Sequence, residues 1–138
     1  MIKKRRAFGV FVVTVALVVG PAAFVAFAKG RTSHATSTFE VVNVDPTDTA
    51  NNYGDTVTFT VDTNQTTRPF VGLTCYQGDD LVYAKSAGFF DDYMFSNTYT
   101  LSSSWWSGGA ADCSANLYYF TTTGRERSLG TLTFPVAA

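Results

Sequence analysis

The sequence has few of the residues from which catalytic and metal sites are built. Its 138 residues include one histidine and two cysteines, and only 15% of them are charged. A Ser-His-Asp triad would have to use His34, which lies outside the predicted folded domain, and a zinc site needs more His or Cys side chains than the chain supplies. We therefore expect a protein that is not an enzyme and that binds no cofactor.

The first 28 residues differ in kind from the rest. Four basic residues, Lys3 to Arg6, precede an uncharged run from Ala7 to Ala28, and the run ends with small residues at Ala26 and Ala28. This order is typical of a secretory signal peptide, with cleavage expected after Ala28. The alternative is an uncleaved membrane anchor, because an uncharged helix of this length would span about 33 Å.

Two details of the leader indicate whether it is cleaved and which export pathway it uses. Gly20-Pro21 interrupts the apolar run, which favours a cleaved signal peptide over an anchor. Arg5-Arg6 resembles a twin-arginine signal, but the strongly apolar segment after it favours Sec export. In either case the basic residues stay inside and the remainder is sent out. The predicted location is secreted or at the cell surface, with membrane contact only through an uncleaved leader.

The charge of the remaining chain limits the class of partner. The leader contains four of the ten basic residues and none of the eleven acidic ones, which leaves six basic residues and a net charge of −5. An acidic domain repels phosphate backbones, so we expect no nucleic-acid partner.

After a polar spacer at residues 29–37, apolar and polar residues alternate with a period of two, and neither a helical period nor a repeat is present. Short alternating runs separated by turn-forming clusters predict one all-β domain, a sandwich or a barrel, over residues 38–138. The seven predicted strands are 38–44, 55–62, 70–77, 81–86, 93–101, 111–120 and a last strand that ends at 136.

The run from Trp105 to Tyr119, WWSGGAADCSANLYY, resembles the region between the fifth and sixth strands of secreted bacterial immunoglobulin-like domains. The resemblance implies an immunoglobulin-like antiparallel β-sandwich of about seven strands after the hydrophobic N-terminal helix of the leader. It also implies a non-catalytic binding or structural module, although a fold does not by itself decide a function.

Both cysteines, Cys75 and Cys113, lie in the exported part, where an even count predicts a disulfide. In an immunoglobulin-like sandwich their strands, the third and the sixth, are neighbours in one sheet. Opposed residues on adjacent antiparallel strands can meet the Cα separation of about 5.5 Å that a disulfide needs. We expect a bridge within one sheet, unlike the bridge of antibody domains, which joins the two sheets.

Aromatic residues make up 15% of the chain and are the better indication of a binding site. Trp105 and Trp106 are adjacent in a Ser/Gly loop, so an extended segment would bury one and expose the other. With Tyr76 and Tyr118 on outer strand faces, the exposed tryptophan could form a flat contact for a carbohydrate or a protein. The alternative, favoured by the need to cap the ends of a small sandwich, is that both tryptophans are structural.

The paired aspartates are weak calcium candidates. Asp79-Asp80 and Asp91-Asp92 could supply oxygen ligands, but adjacent residues on a strand point to opposite faces, and no EF-hand spacing is present. We interpret them as solvated loop residues and predict no metal site.

Three classes of function remain. The first is a binding module for a carbohydrate or a protein at the cell surface. The second is a structural subunit of a surface layer, appendage or virion, and a secreted enzyme or inhibitor is the third. Threonines at Thr56, Thr58 and Thr60 predict a polar outer face for the second strand, whereas an assembly subunit should have an apolar one. The sequence therefore favours binding.

Overall fold

The structure is a computed structural model that describes residues 34–45 and 50–138. The leader, its expected cleavage residues Ala26 and Ala28 and most of the spacer lie outside these ranges. Within them, no helix is long and apolar enough to cross a membrane. The strands are β1 (Ser37–Asn43), β2 (Thr56–Thr63), β3 (Phe70–Gln77), β4 (Asp80–Gly88), β5 (Tyr99–Thr100), β6 (Ala111–Phe120) and β7 (Glu126–Val136).

The strands form two antiparallel sheets with one shared core. The three-stranded sheet has the order β1-β2-β5, and the four-stranded sheet has the order β4-β3-β6-β7. Apolar side chains from both sheets, such as Phe59 of β2 and Leu73 of β3, belong to one buried cluster. The all-β architecture predicted from the alternation is therefore confirmed.

Alternation places the core residues as expected on the two central strands of the larger sheet. Val71, Leu73 and Cys75 of β3 are fully buried, and the residues between them are more exposed. On β4 the register shifts between the partner of Cys75, which is Tyr83, and the partner of Tyr76, which is Leu81. The consecutive residues Val82 and Tyr83 are therefore both buried. A β-bulge explains this break, because the extra residue re-aims the side chains that follow.

The predicted strand over residues 93–101 is wrong for most of its length, since only Tyr99 and Thr100 are paired, with β2. Phe95, which a strand over these residues would place on one face with Tyr99, is 71% exposed, whereas Tyr99 is buried. The Ser96 hydroxyl bonds both the Thr98 hydroxyl (2.7 Å) and the Thr98 backbone N–H (3.2 Å). Such local side-chain bonds compete with strand pairing, so residues 89–98 form a loop instead.

The predicted disulfide is confirmed. Cys75 and Cys113 lie opposite each other on β3 and β6 and are bonded, within one sheet and on its buried face. Their Cα atoms are 4.0 Å apart, closer than the expected value and nearer to the spacing of about 4.5 Å typical of a non-hydrogen-bonded pair.

We expect this bridge to supply a large part of the domain's stability. The cysteines are 38 residues apart, and closing a loop of this length is worth about 4 kcal/mol on the chain-entropy model. Reduction should lower the free energy of unfolding by roughly that amount, measured by urea denaturation with and without reductant. The Cys75→Ala/Cys113→Ala variant is the control, since its stability should not respond to reductant. An unchanged melt of the reduced wild type would contradict the prediction.

A buried tyrosine ties the two sheets together. Tyr99 of β5 is fully buried, and its hydroxyl donates a hydrogen bond of 2.8 Å to the Val71 carbonyl on β3 in the other sheet. Burial raises the pKa of Tyr99 well above its usual value, with a smaller contribution from neighbouring tyrosines, and burial also raises the pKa of Tyr83 to about 12. Both phenols are therefore held protonated by the fold.

These pKa shifts predict an alkaline limit to stability. Because the folded pKa values lie above the unfolded value of about 10, the stabilisation is complete below pH 10 and is lost as the pH rises towards 12. Tyr99→Phe should cost about 1 kcal/mol near neutral pH, through the lost hydrogen bond, and should flatten this alkaline loss. Absorbance at tyrosinate wavelengths measures the ionisation of the tyrosines between pH 10 and about 12, and circular dichroism measures unfolding over the same pH range. If all seven tyrosines ionised near pH 10 with the fold intact, the prediction would fail.

Candidate functional site

Three loops gather at one end of the sandwich, which we call the loop end. Phe70, the first residue of β3, lies opposite Gly88 at the end of β4 and Tyr118 near the end of β6. The loops at 64–69, 89–98 and 121–125 therefore lie at this end, and so do the first described residues, since Thr36 bonds Asn64. The hairpin at 78–79 and the loop at 101–110 lie at the other end.

Six rings form a continuous cluster at the loop end, and three of them, Phe70, Tyr118 and Phe120, lie on the outer face of the four-stranded sheet. Phe70 is at its centre, with ring centroids of Phe90 at 5.4 Å, Phe120 at 5.6 Å and Tyr118 at 5.7 Å. Most contacts are edge-to-face, the arrangement that aromatic pairs prefer. We call the whole set the aromatic cluster: Phe70, Phe90, Tyr93, Phe95, Tyr118 and Phe120.

Part of the cluster is open to solvent, and an apolar neighbour adds to it. Phe95 is 71% exposed, Phe120 is 51% exposed, and Met94, next to Phe95, is 88% exposed. Tyr118 is almost buried, because it stacks on Phe70. A scattered exposed apolar residue needs no explanation, but a contiguous group at one end of a domain is typical of a contact surface.

Arg68 fixes the polar border of the cluster. Its guanidinium lies over the Phe90 ring, 4.1 Å from the centroid, and pairs with the Asp92 carboxylate at 2.8 Å. The hydrogen bond from Arg68 holds the pKa of Asp92 below its usual value. The pair is solvent-exposed and adds little stability, but it orients the charge. Asp91 has no such ion pair among the residues that the structure describes.

An open depression lies beside the cluster, between the three-stranded sheet and the loop 89–98. Val61 of β2 forms one wall, and Phe89, Tyr93 and Phe95 form the apolar part of the other. Phe90 also lines the depression, and the remaining lining residues are polar or small: Gly88, Asp91, Ser96 and Asn97. The depression offers the Asp91 carboxylate and the polar side chains of Ser96 and Asn97 beside aromatic rings.

The structure does not bring the four predicted binding aromatics together. Trp105 is 73% exposed and Trp106 is 1% exposed, so one of the pair is buried, as alternation predicts. Both lie at the end opposite the loop end, where Tyr76 is half-exposed on β3. Tyr118 alone belongs to the aromatic cluster, and its ring is covered. A buried Trp106 offers no face to a ligand in this conformation.

Trp106 instead closes the core at its end of the sandwich. Its indole N–H donates to the Gly109 carbonyl at 3.1 Å, and the Tyr53 ring packs against it edge-to-face at 5.3 Å. The Tyr53 hydroxyl donates to the Trp106 carbonyl at 3.0 Å. Gly108 and Gly109 both have a positive φ, which lets the loop turn back over the indole.

The four aspartates considered for calcium are divided between the two ends. Asp79 and Asp80 belong to the hairpin between β3 and β4, and Asp91 and Asp92 belong to the loop end. Within residues 34–45 and 50–138, no group of three or more His, Cys, Asp or Glu side chains could hold a metal ion.

The sequence analysis named only Tyr118 of the aromatic cluster and missed Phe90, Tyr93 and Phe95 of the loop 89–98 as well as Phe70 and Phe120 of the strands. Phe70 and Phe120 are the two that a strand pattern could have indicated. Each lies out of phase with the buried row of its strand, which is Val71, Leu73 and Cys75 for β3. A large apolar residue on the outer row of a strand was the available signal. Their meeting across β3 and β6 depends on the register, which alternation alone does not supply.

No protein-family model, curated protein or solved structure matches the chain.

The two adjacent tryptophans should differ sharply in their contribution to stability. Trp106→Ala removes a buried ring and should cost about 3 to 5 kcal/mol of unfolding free energy. Trp105→Ala removes an exposed ring and should change stability by less than about 0.5 kcal/mol. Urea denaturation measures both stabilities. Acrylamide should quench the fluorescence of Trp105 and should not quench that of Trp106. Equal losses of stability in the two variants would contradict this assignment.

Proposed function

We propose that the chain is an exported, non-catalytic, immunoglobulin-like module that binds a protein partner through the aromatic cluster at its loop end. The observation that carries the proposal is the exposure of Met94, Phe95 and Phe120 at one end of the domain, where Phe95 and Phe120 are joined through the rings of Tyr93 and Phe70. The leader supports export, and the scarcity of histidine and cysteine supports a non-catalytic role.

The sheet order supports the immunoglobulin-like part of the proposal. In such sandwiches the first, second and fifth strands share one sheet, and the third and sixth are neighbours in the other. The orders β1-β2-β5 and β4-β3-β6-β7 have this arrangement. The loops at 64–69 and 121–125 then occupy the end at which variable domains of this class carry their binding loops.

The chemistry of the exposed residues favours a protein over a carbohydrate. Met94, Phe95 and Phe120 carry no hydroxyl or amide that could bond a sugar. Methionine and phenylalanine are enriched in protein interfaces, where the flexible thioether adapts to the partner's shape. A carbohydrate remains the alternative ligand, because Asp91 and Asn97 border the depression.

A local contact fits the surface better than a layered assembly. The outer face of β1 and β2 carries Thr38, Glu40, Thr60 and Asp62, all exposed. A subunit that packs sheet on sheet would show an apolar face there. The apolar exposure at the loop end instead provides a patch for one partner.

Binding of the exported chain to the surface of producing cells tests the proposal. The Phe95→Ser/Phe120→Ser variant should bind at least about tenfold more weakly than the wild type, because each ring loses about 1.5 kcal/mol or more of burial. Trp105→Ser is the matched control, since it removes a ring of similar exposure from the other end and should bind normally.

Treatment of the cells separates the alternatives. Protease should abolish the binding and periodate should leave it. Loss with periodate alone would identify a carbohydrate ligand and overturn the protein assignment. A stable large oligomer of the exported chain in size-exclusion chromatography would support the assembly alternative instead, and equal binding by both variants would remove the aromatic cluster from the site.

A further inference from the structure

One edge of β2 is only partly covered. On one side β1 pairs with it over its full length, from Val57 opposite Asn43 to Thr63 opposite Ser37. On the other side β5 pairs only with Thr56 and Val57. Beyond Val57 the described residues contain no strand on that side of β2.

The direction of each backbone group on β2 follows from the hydrogen bonds at its start. The Thr56 carbonyl accepts from the Val44 N–H at 2.9 Å, on the β1 side, and the Asp55 carbonyl accepts from the Leu101 N–H at 2.8 Å, on the β5 side. Because successive residues of a strand direct their N–H and C=O groups to opposite sides, Phe59, Val61 and Thr63 direct theirs to the β5 side. No backbone hydrogen bond from these three residues to that side occurs within the described chain.

The open edge and the depression are adjacent. Val61, in the middle of the unpaired stretch, also forms a wall of the depression. The loop 89–98 contacts β2 through the Thr58 hydroxyl, which donates to the Asn97 carbonyl at 3.0 Å, and through Phe89, whose ring packs edge-to-face on Phe59. A strand placed along Phe59 to Thr63 would therefore direct alternate side chains towards Phe89, Tyr93 and Phe95.

We propose that an extended peptide segment of the partner, carrying a basic residue, adds to this edge of β2 as a further strand. The inference rests on the proposed function in that it names how the protein partner is held. Backbone bonds to Val61 and Thr63 supply affinity, and the depression accepts alternate side chains of the peptide, which is the division of roles in β-strand addition.

Charge complementarity determines the kind of peptide. Asp91 borders the depression, Asp62 is exposed on the strand itself, and Arg68 neutralises only Asp92. The exported chain carries a net charge of −5. A Lys or Arg side chain beside Asp91 is therefore favoured, and an acidic peptide is repelled.

The same charges disfavour a second copy of this chain as the occupant. Two β2 edges paired antiparallel about Val61 would place the two Asp62 residues on one face as diagonal neighbours, with Cα atoms about 7 to 8 Å apart. Like charges at this distance repel each other, and the two domains repel each other at longer range.

Synthetic peptides test the inference without knowledge of the natural partner. The probe is an acetylated eight-residue peptide of alternating Val and Thr with one Lys, and its relatives carry Glu in place of Lys. The Lys peptide should bind the exported chain about tenfold more tightly than the Glu peptide, by isothermal titration or fluorescence anisotropy. Every second residue of the peptide can be N-methylated in either of two phases. Methylation of the N–H groups that face β2 should abolish binding, and methylation of the other set should leave it, because only one set of N–H groups faces β2. Equal loss in both phases, or no binding by any peptide, would overturn the proposal.

Variants of the chain assign the binding to this edge. Val61→Pro removes the outward N–H without removing a bond to β1 and should abolish peptide binding, whereas Val61→Thr keeps the N–H and should retain it. Asp91→Asn should remove the preference for Lys, and Asp79→Asn, the same change at the other end, should not. Thermal melts show whether Val61→Pro is folded. If it is not, the N-methylated peptides, tested on the wild type, decide whether the peptide pairs as a strand.

This test and that of the proposed function can fail independently. Phe120 is not part of the depression, so Phe120→Ser should weaken cell binding and leave peptide binding intact. Cell binding that survives Val61→Pro would overturn strand addition and keep the aromatic cluster as the contact.

Discussion

The pairing of β3 with β6 is the constraint on which the rest of the structure depends. The disulfide fixes Cys75 opposite Cys113, and the same register places Phe70 opposite Tyr118, five residues further along each strand. A slip of one residue would turn the buried rows outward and separate the two rings. The covalent bond that supports a small core therefore also sets the centre of the exposed aromatic cluster, so that stability and the candidate site share one cause.

The two sheets depend on a few specific contacts as well as on apolar burial. The hydroxyl of Tyr99, on the shortest strand, crosses the core to the Val71 carbonyl, and Lys85 of β4 donates to the Thr98 carbonyl beside it. These bonds hold the end of the loop 89–98 while its middle remains exposed at Met94 and Phe95. A loop anchored at its base and exposed at its tip can present apolar side chains without loosening the core.

Most of the fold could be predicted from the sequence, because alternation records which face of a strand is buried. The bounds of β3 and β6 agree with the predicted ones, and Cys75 and Cys113 had a single possible pairing. Alternation failed at residues 93–101, where Ser96 bonds its own neighbour instead of a strand. It also failed to find the site, since the cluster joins Phe70 to Phe120 through register and to Phe90 through a loop, and neither relation is periodic in the sequence. The alternation predicted that one tryptophan of the pair would be buried and the other exposed, without indicating which. It had no means of placing both at the end away from the cluster.

The short length of β5 has two consequences that meet at one place. Pairing between β5 and β2 begins only at Tyr99, which lies opposite Val57. The segment before Tyr99 therefore carries Met94 and Phe95 outward, and the edge of β2 from Phe59 to Thr63 stays unpaired. An unpaired edge invites aggregation, and exposed charge is a usual protection against it. Asp62 and Asp91 lie where such protection is needed. Carboxylates that would keep identical chains apart would also select a basic strand, so protection against the wrong partner and recognition of the right one would both follow from acidic side chains at this edge.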